Sequence, residues 1–130
     1  MPVIEPAYLL DSNICIYLLE GLSGTARRKV ESFEPGQLIT SAVVYAEVLT
    51  GADRSDPKVM RMMEAFFDII RARPFDGAAA RAYAELPFKR RSYDRLIAAH
   101  ALSLGLPLVT SNERDFFDIR GLQVENWTQA

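Results

Sequence analysis

Hydrophobic and polar positions along the chain switch repeatedly between a strand-like and a helix-like period. Tyr8-Leu9-Leu10 is a short unbroken apolar run, as expected of a strand buried on both faces. Asp11 follows at once. Ser12-Asn13 then offers a helix N-cap, and Ile14, Ile16, Tyr17 and Leu18 give the next segment an apolar face. Ala26, Val30 and Phe33 predict an amphipathic helix over 23–33, stopped by Glu34-Pro35-Gly36. Gln37 to Thr40 reads as a strand, and Ser41 caps a helix from Ala42 to Thr50 that Gly51 ends. Asp56-Pro57 opens a further helix with an apolar stripe at Val59, Met60, Met63, Phe66, Phe67 and Ile70. Arg73 to Phe75 is extended, Asp76 caps a helix over 77–86 and Ser92 caps another over 93–104. Leu106 to Thr110 and Gly121 to Glu125 are the remaining strands, with a turn and short helix over 111–117 between them. Strands alternating with helices predict an α/β fold: a mostly parallel sheet of four or five short strands, covered on both faces.

Composition narrows the class. With 130 residues, the chain is sized for one domain spanning 1–130, and no repeat, linker or low-complexity tract divides it. No apolar run approaches the roughly 20 residues that span a bilayer, and the first residues lack a signal peptide's basic region. A cytoplasmic protein is the expectation. Cys15 is the lone cysteine and sits among Ile14, Ile16 and Leu18, so it reads as an inert core thiol. A single histidine, His100, excludes a multi-histidine metal site and reads as a helix packing residue. Any metal must then be held by oxygen, which favours magnesium or manganese over zinc. The net charge of −2 does not suit a protein that grips nucleic acid over its whole surface. Two local basic clusters qualify that average. Arg27-Arg28-Lys29 reads as a solvated helix face, whereas Lys89, Arg90, Arg91 and Arg95 flank an acid and are candidates for phosphate contacts.

The acids carry the candidate chemistry. Asp11 ends a strand and begins a helix, so it stands at the carboxyl edge of the sheet, where ligands bind in open α/β folds. Glu47 shares its side of a helix with Val43, Val44 and Gly51, poor company for a solvated carboxylate. Asp94 lies on a stripe with Ile97, Ala98 and Ala101, on the core-facing side of its helix. Asp115 comes soon after the strand ending at Thr110, with Asn112 closer still. Carboxylates delivered from four segments to one edge repel unless a cation compensates them. A hard divalent ion is the natural partner, and it suits phosphodiester hydrolysis.

Leu10-Asp11-Ser12-Asn13, Ser41 to Gly51, Tyr93 to Leu102, Leu108 to Asn112 with Asp115-Phe116, and Gly121 to Trp127 together resemble a PIN domain. The likeness is nearest to the VapC-type toxins of toxin–antitoxin pairs. The resemblance implies a PIN-like α/β/α sandwich and a magnesium- or manganese-dependent endoribonuclease acting on RNA. It also implies a small antitoxin partner and a homodimer; the lack of a spanning apolar run separately predicts no membrane role. The antitoxin is expected to lay an apolar helix in a groove near the second and third helices. Its acidic set maps onto Asp11, Glu47 and Asp94, with Asp115 or Asn112 as the fourth ligand and Asn13 and Thr110 in support. Two other readings compete. A receiver-like phosphoacceptor domain requires a lysine after a late strand, where this chain has Ser111-Asn112. A non-catalytic RNA- or protein-binding module has no need of mutually repelling acids.

Overall fold

The computed structural model describes residues 3–87 and 92–129. Elements run β1 (Tyr8–Leu10), α1 (Ser12–Glu20), α2 (Gly24–Glu31), β2 (Leu38–Ser41), α3 (Ala42–Gly51), α4 (Pro57–Ile69) and β3 (Ala72–Arg73). They continue with α5 (Gly77–Ala84), α6 (Tyr93–Leu104), β4 (Leu108–Val109), a 3-10 turn at Glu113–Asp115 and β5 (Val124–Glu125).

The five strands form one sheet in the order β3-β2-β1-β4-β5. Every neighbouring pair is parallel, with Leu9 opposite Ile39 on one side and Leu108 on the other. Adjacent residues of a strand face opposite sides of its sheet. Leu9 and Leu10 are both 0% exposed, as are Leu108 and Val109, so both faces are covered. The chain leaves β1 towards β2 and β3, then crosses back to place β4 on the other flank of β1. Such a reversal of strand order opens a crevice at the carboxyl ends of the two strands that flank it. The residues just past β1 and β4 are Asp11 and Thr110. Among the described residues no helix is long and apolar enough to cross a membrane.

Several local expectations are adjusted. Asp11 itself, not Ser12 or Asn13, is the N-cap of α1: its side chain accepts from the Ser12 N–H at 2.7 Å. Gly51 is the last residue of α3 rather than a left-handed stop, and Ala52 caps it in extended conformation. Ala72–Arg73 forms a short edge strand against Thr40 and Ser41, slightly earlier than the extended segment expected at 73–75. Two residues carry no readable period. The expected solvated face of α2 is seen, with Arg27, Arg28 and Lys29 exposed and Arg27 paired with Glu31 one turn on. Cys15 is buried, and burial pushes its thiol far above the ordinary range, which makes it unreactive.

Candidate active site

Asp11 is 1% exposed, although it is a carboxylate. Four donors hold it: the Ser12 N–H at 2.7 Å, the Thr110 hydroxyl at 2.9 Å and, more loosely, the Asn13 amide and the Ser12 hydroxyl, each at 3.5 Å. Thr110 is itself fully buried, and its oxygen accepts from the Asn13 amide and the Asn112 N–H, each at 3.1 Å. Asn13 in turn accepts from the Ser111 N–H at 3.1 Å. Asn13, in the first turn of α1, and Thr110, just past β4, thus brace Asp11 together. The bracing follows from the parallel register, which sets the ends of the two strands side by side.

These donors stabilise the charged form, yet burial outweighs them. The Asp11 pKa rises from an ordinary 3.8 to about 6, chiefly through desolvation, with the charge of Asp94 adding to it. Glu47 rises from 4.5 to about 7, again by burial first and then by the charges of Asp11 and Asp94. One oxygen of Glu47, Oε1, is buried without a hydrogen-bond partner, and the other accepts weakly from the Ser12 hydroxyl at 3.5 Å. Asp94, in the first turn of α6, therefore shares one electrostatic neighbourhood with Asp11 and Glu47. Three segments far apart in sequence bring acids to one crevice. An orphaned carboxylate oxygen and two carboxylates whose pKa values neighbouring acids raise are what a set of oxygen ligands for a hard cation displays before the ion compensates it. Among the described residues, no group of three His, Cys, Asp or Glu side chains is already arranged to hold an ion unaided. A hard divalent cation that keeps several of its waters and takes few carboxylates suits such an open arrangement.

Asp115 is connected less directly. Its carboxylate accepts from the Asn112 side-chain amide, and the Asn112 N–H reaches Thr110 and so Asp11. Asn112 is exposed and Asp115 half-buried at the rim of the same crevice. Ser12 is a residue the sequence reading passed over. Its hydroxyl lies 3.5 Å from both Asp11 and Glu47 and links the two acids. A hydroxyl between an acid and a helix start was the available signal.

Arg95 corrects its expected role. It points inward at 4% exposure, and its Nη2 donates to both carboxylate oxygens of Asp118 at 2.9 and 3.0 Å. It is a structural tie between α6 and the segment before β5, not a phosphate contact. Lys89, Arg90 and Arg91 lie outside the described residues. His100 is packed, 1% exposed, with Nδ1 2.8 Å from the Ser41 hydroxyl and its ring edge-on to Phe75.

Two substitutions test this wiring. Thr110→Val removes the hydroxyl from Asp11 and leaves the Asn112 N–H unpaired. It should raise the Asp11 pKa further and lower hydrolysis carried out at this site at neutral pH by about tenfold. A pH–rate profile should show the loss shrinking as pH rises. Asp118→Ala strands the buried Arg95 guanidinium. Fully buried pairs lose about 3–5 kcal/mol when broken, but Asp118 is half exposed, so roughly 2 kcal/mol is expected in urea unfolding.

A family model for the PIN domain matches residues 8–122. The tRNA(fMet)-specific endonuclease VapC of Shigella flexneri is 32% identical, over 93% of this chain and 98% of that one. Ribonuclease VapC1 of Haemophilus influenzae strain R2866 is 30% identical, over 94% and 98%. Among solved structures, VapBC2 from Rickettsia felis bound to a promoter DNA fragment superposes with a TM-score of 0.80 at 25% identity, over 93% and 98%. VapBC-1 from nontypeable Haemophilus influenzae does so with a TM-score of 0.80 at 29% identity, over 95% and 99%.

Proposed function

The chain belongs to the PIN domain family, and from that premise we propose that it is a divalent-metal-dependent endoribonuclease, the toxin of a toxin–antitoxin pair. One observation carries the chemical part: Asp11 and Glu47 come together with Asp94 near the sheet's switch point, where the charge of Asp94 raises the pKa of Asp11 and the charges of Asp11 and Asp94 raise that of Glu47. Asp11, Glu47 and Asp94 would hold the ion, magnesium or manganese, with Asp115 or Asn112 as a fourth ligand. When bound there, the ion supplies Lewis acidity towards water and phosphate oxygens. The protein's own work is positional. The Ser12 N–H and the Thr110 hydroxyl fix the orientation of Asp11, and Asn13 fixes Thr110. The packed strand ends behind Asp11 keep bulk water from that side, which strengthens electrostatic interactions in the crevice. Lys89, Arg90 and Arg91 precede α6 and are proposed to contact flanking phosphates.

For the antitoxin we propose the apolar groove lined by Ile16, Leu19, Val48, Val59, Met62 and Met63. It lies between α1, α3 and α4 rather than beside the second helix, and it suits an amphipathic helix laid into a groove. A homodimer is proposed on family grounds.

The test is cleavage of RNA by purified protein with magnesium, with manganese and with chelator. The relative from Shigella flexneri makes initiator tRNA the first substrate to try. Cleavage with metal that chelator stops is the expected result. Cleavage that survives chelator would overturn the reading, and RNA binding without cleavage in either metal would favour a non-catalytic module.

A further inference from the structure

Beside the acids lies a cavity of about 310 Å³, lined by Ala46, Glu47, Thr50 and Gly51 of α3 and by Tyr93 of α6. This volume is at the small end of the ~300–1,000 Å³ typical of ligand pockets. Glu47 belongs to both the cavity and the acidic site, so the two are continuous. Tyr93 precedes Asp94 directly, yet it faces away from the core and is 61% exposed. Among the described residues its ring stacks on no other aromatic, and its hydroxyl makes no hydrogen bond. The opposite wall is small: an alanine, a glycine, and a threonine whose hydroxyl is turned back to the Ala46 carbonyl at 2.8 Å. That bond uses up the hydroxyl's donor, so apart from Glu47, at the side shared with the acidic site, the wall offers few hydrogen-bond donors. A cavity of this volume between an exposed aromatic ring and small side chains has room for a planar heterocycle.

We propose that this cavity holds a nucleobase of the RNA next to the cleaved phosphate, stacked on Tyr93. The proposal rests on the nuclease reading and adds a base subsite to it. Proteins that recognise single-stranded RNA splay bases out and stack them on aromatic rings. Each such contact is worth about 1–3 kcal/mol, roughly 5- to 150-fold in affinity. Stacking tolerates any base, so the slot gives affinity and register more than sequence choice. Its continuity with Glu47 fixes the register, because a base held there leaves its own phosphate at the crevice.

The experiment uses the RNA that wild-type protein cleaves, carrying one abasic nucleotide stepped through the positions around the cut. Tyr93→Ala should raise KM about tenfold with kcat within twofold, and Tyr93→Phe should restore it. At one position, the abasic substitution should raise the wild-type KM by the same factor and cost Tyr93→Ala nothing further. A KM unchanged in Tyr93→Ala, or an abasic penalty that persists undiminished in that variant, would overturn the subsite. So would a Tyr93→Ala variant that loses antitoxin binding while its RNA kinetics stay intact, which would give the slot to a protein. Wild-type protein that cuts no RNA would instead defeat the nuclease reading beneath it.

Discussion

Asp11→Asn should cut RNA about a thousandfold more slowly than wild type, a loss of ~4 kcal/mol in transition-state stabilisation. The substitution keeps size and shape. Its carbonyl oxygen still accepts from the Ser12 N–H, so the start of α1 is preserved. What it removes is one negative charge at the point where β1 and β4 present their ends. The same change should relieve the fold. Burying a charge is costly, and at pH 8 Asp11 is charged, 1% exposed and faced by Glu47 and Asp94. Metal-free Asp11→Asn protein should therefore melt at a higher temperature than wild type at pH 8. Activity lost together with stability gained separates a charged site from a residue needed only for folding, whose loss would lower both. In cells, expression of the wild-type chain without an antitoxin should slow growth, and Asp11→Asn should relieve it.

The second large effect is the pH dependence of stability without metal. Asp11 and Glu47 both have folded pKa values above their unfolded ones, at about 6 and about 7. Their protonated forms favour the fold. That contribution is fully present below pH 4 and is lost as pH rises through 6 and 7. For Asp11 alone, the rise from 3.8 to about 6 corresponds to about 3 kcal/mol. Glu47 is less buried and adds a smaller amount. The opposing group is His100, whose pKa burial lowers; its neutral form supports the fold above about 6.5, and that support fades as pH falls. Two acids outweigh one imidazole, so metal-free protein should melt about 10 °C lower at pH 8 than at pH 5. Millimolar magnesium should recover most of that loss at pH 8 and change little at pH 5, where protons compete for the ligands. Differential scanning calorimetry at both pH values, with and without magnesium, checks it. In Asp11→Asn protein the slope should flatten and the magnesium effect should disappear.

Much of this arrangement was legible in the residues because burial and charge conflict openly there. Asp11 closes an apolar run, Glu47 shares its side with valines, and Asp94 heads a stripe whose other members, Ile97, Ala98 and Ala101, are all 0% exposed. An acid in such a position requires an explanation, and the parallel register supplies a common one. Arg95 was misread for a related reason. A periodic pattern assumes one buried face, whereas α6 packs against both the site side and α5, and Arg95, Ile97, Ala98, Ala99, His100 and Ala101 are all buried. An arginine off the apolar stripe then falls inside, where a distant acid, Asp118, pairs with its Nη2. The links from Ser12 to Glu47 and from Thr110 to Asp11 depend on chain crossings that no local pattern encodes. The strand at Ala72–Arg73 is too short to show a period and exists because β2 offers it an edge.

Manganese binding followed by electron paramagnetic resonance at pH 7.5 puts the whole account at risk in one titration. Wild-type protein should remove free ion from the spectrum at a saturable site, and Asp11→Asn, Glu47→Gln and Asp94→Asn should each weaken that binding at least tenfold, with magnesium competing in the wild type. Undiminished binding in all three variants, or no saturable binding by the wild type, would mean that these acids do not share an ion.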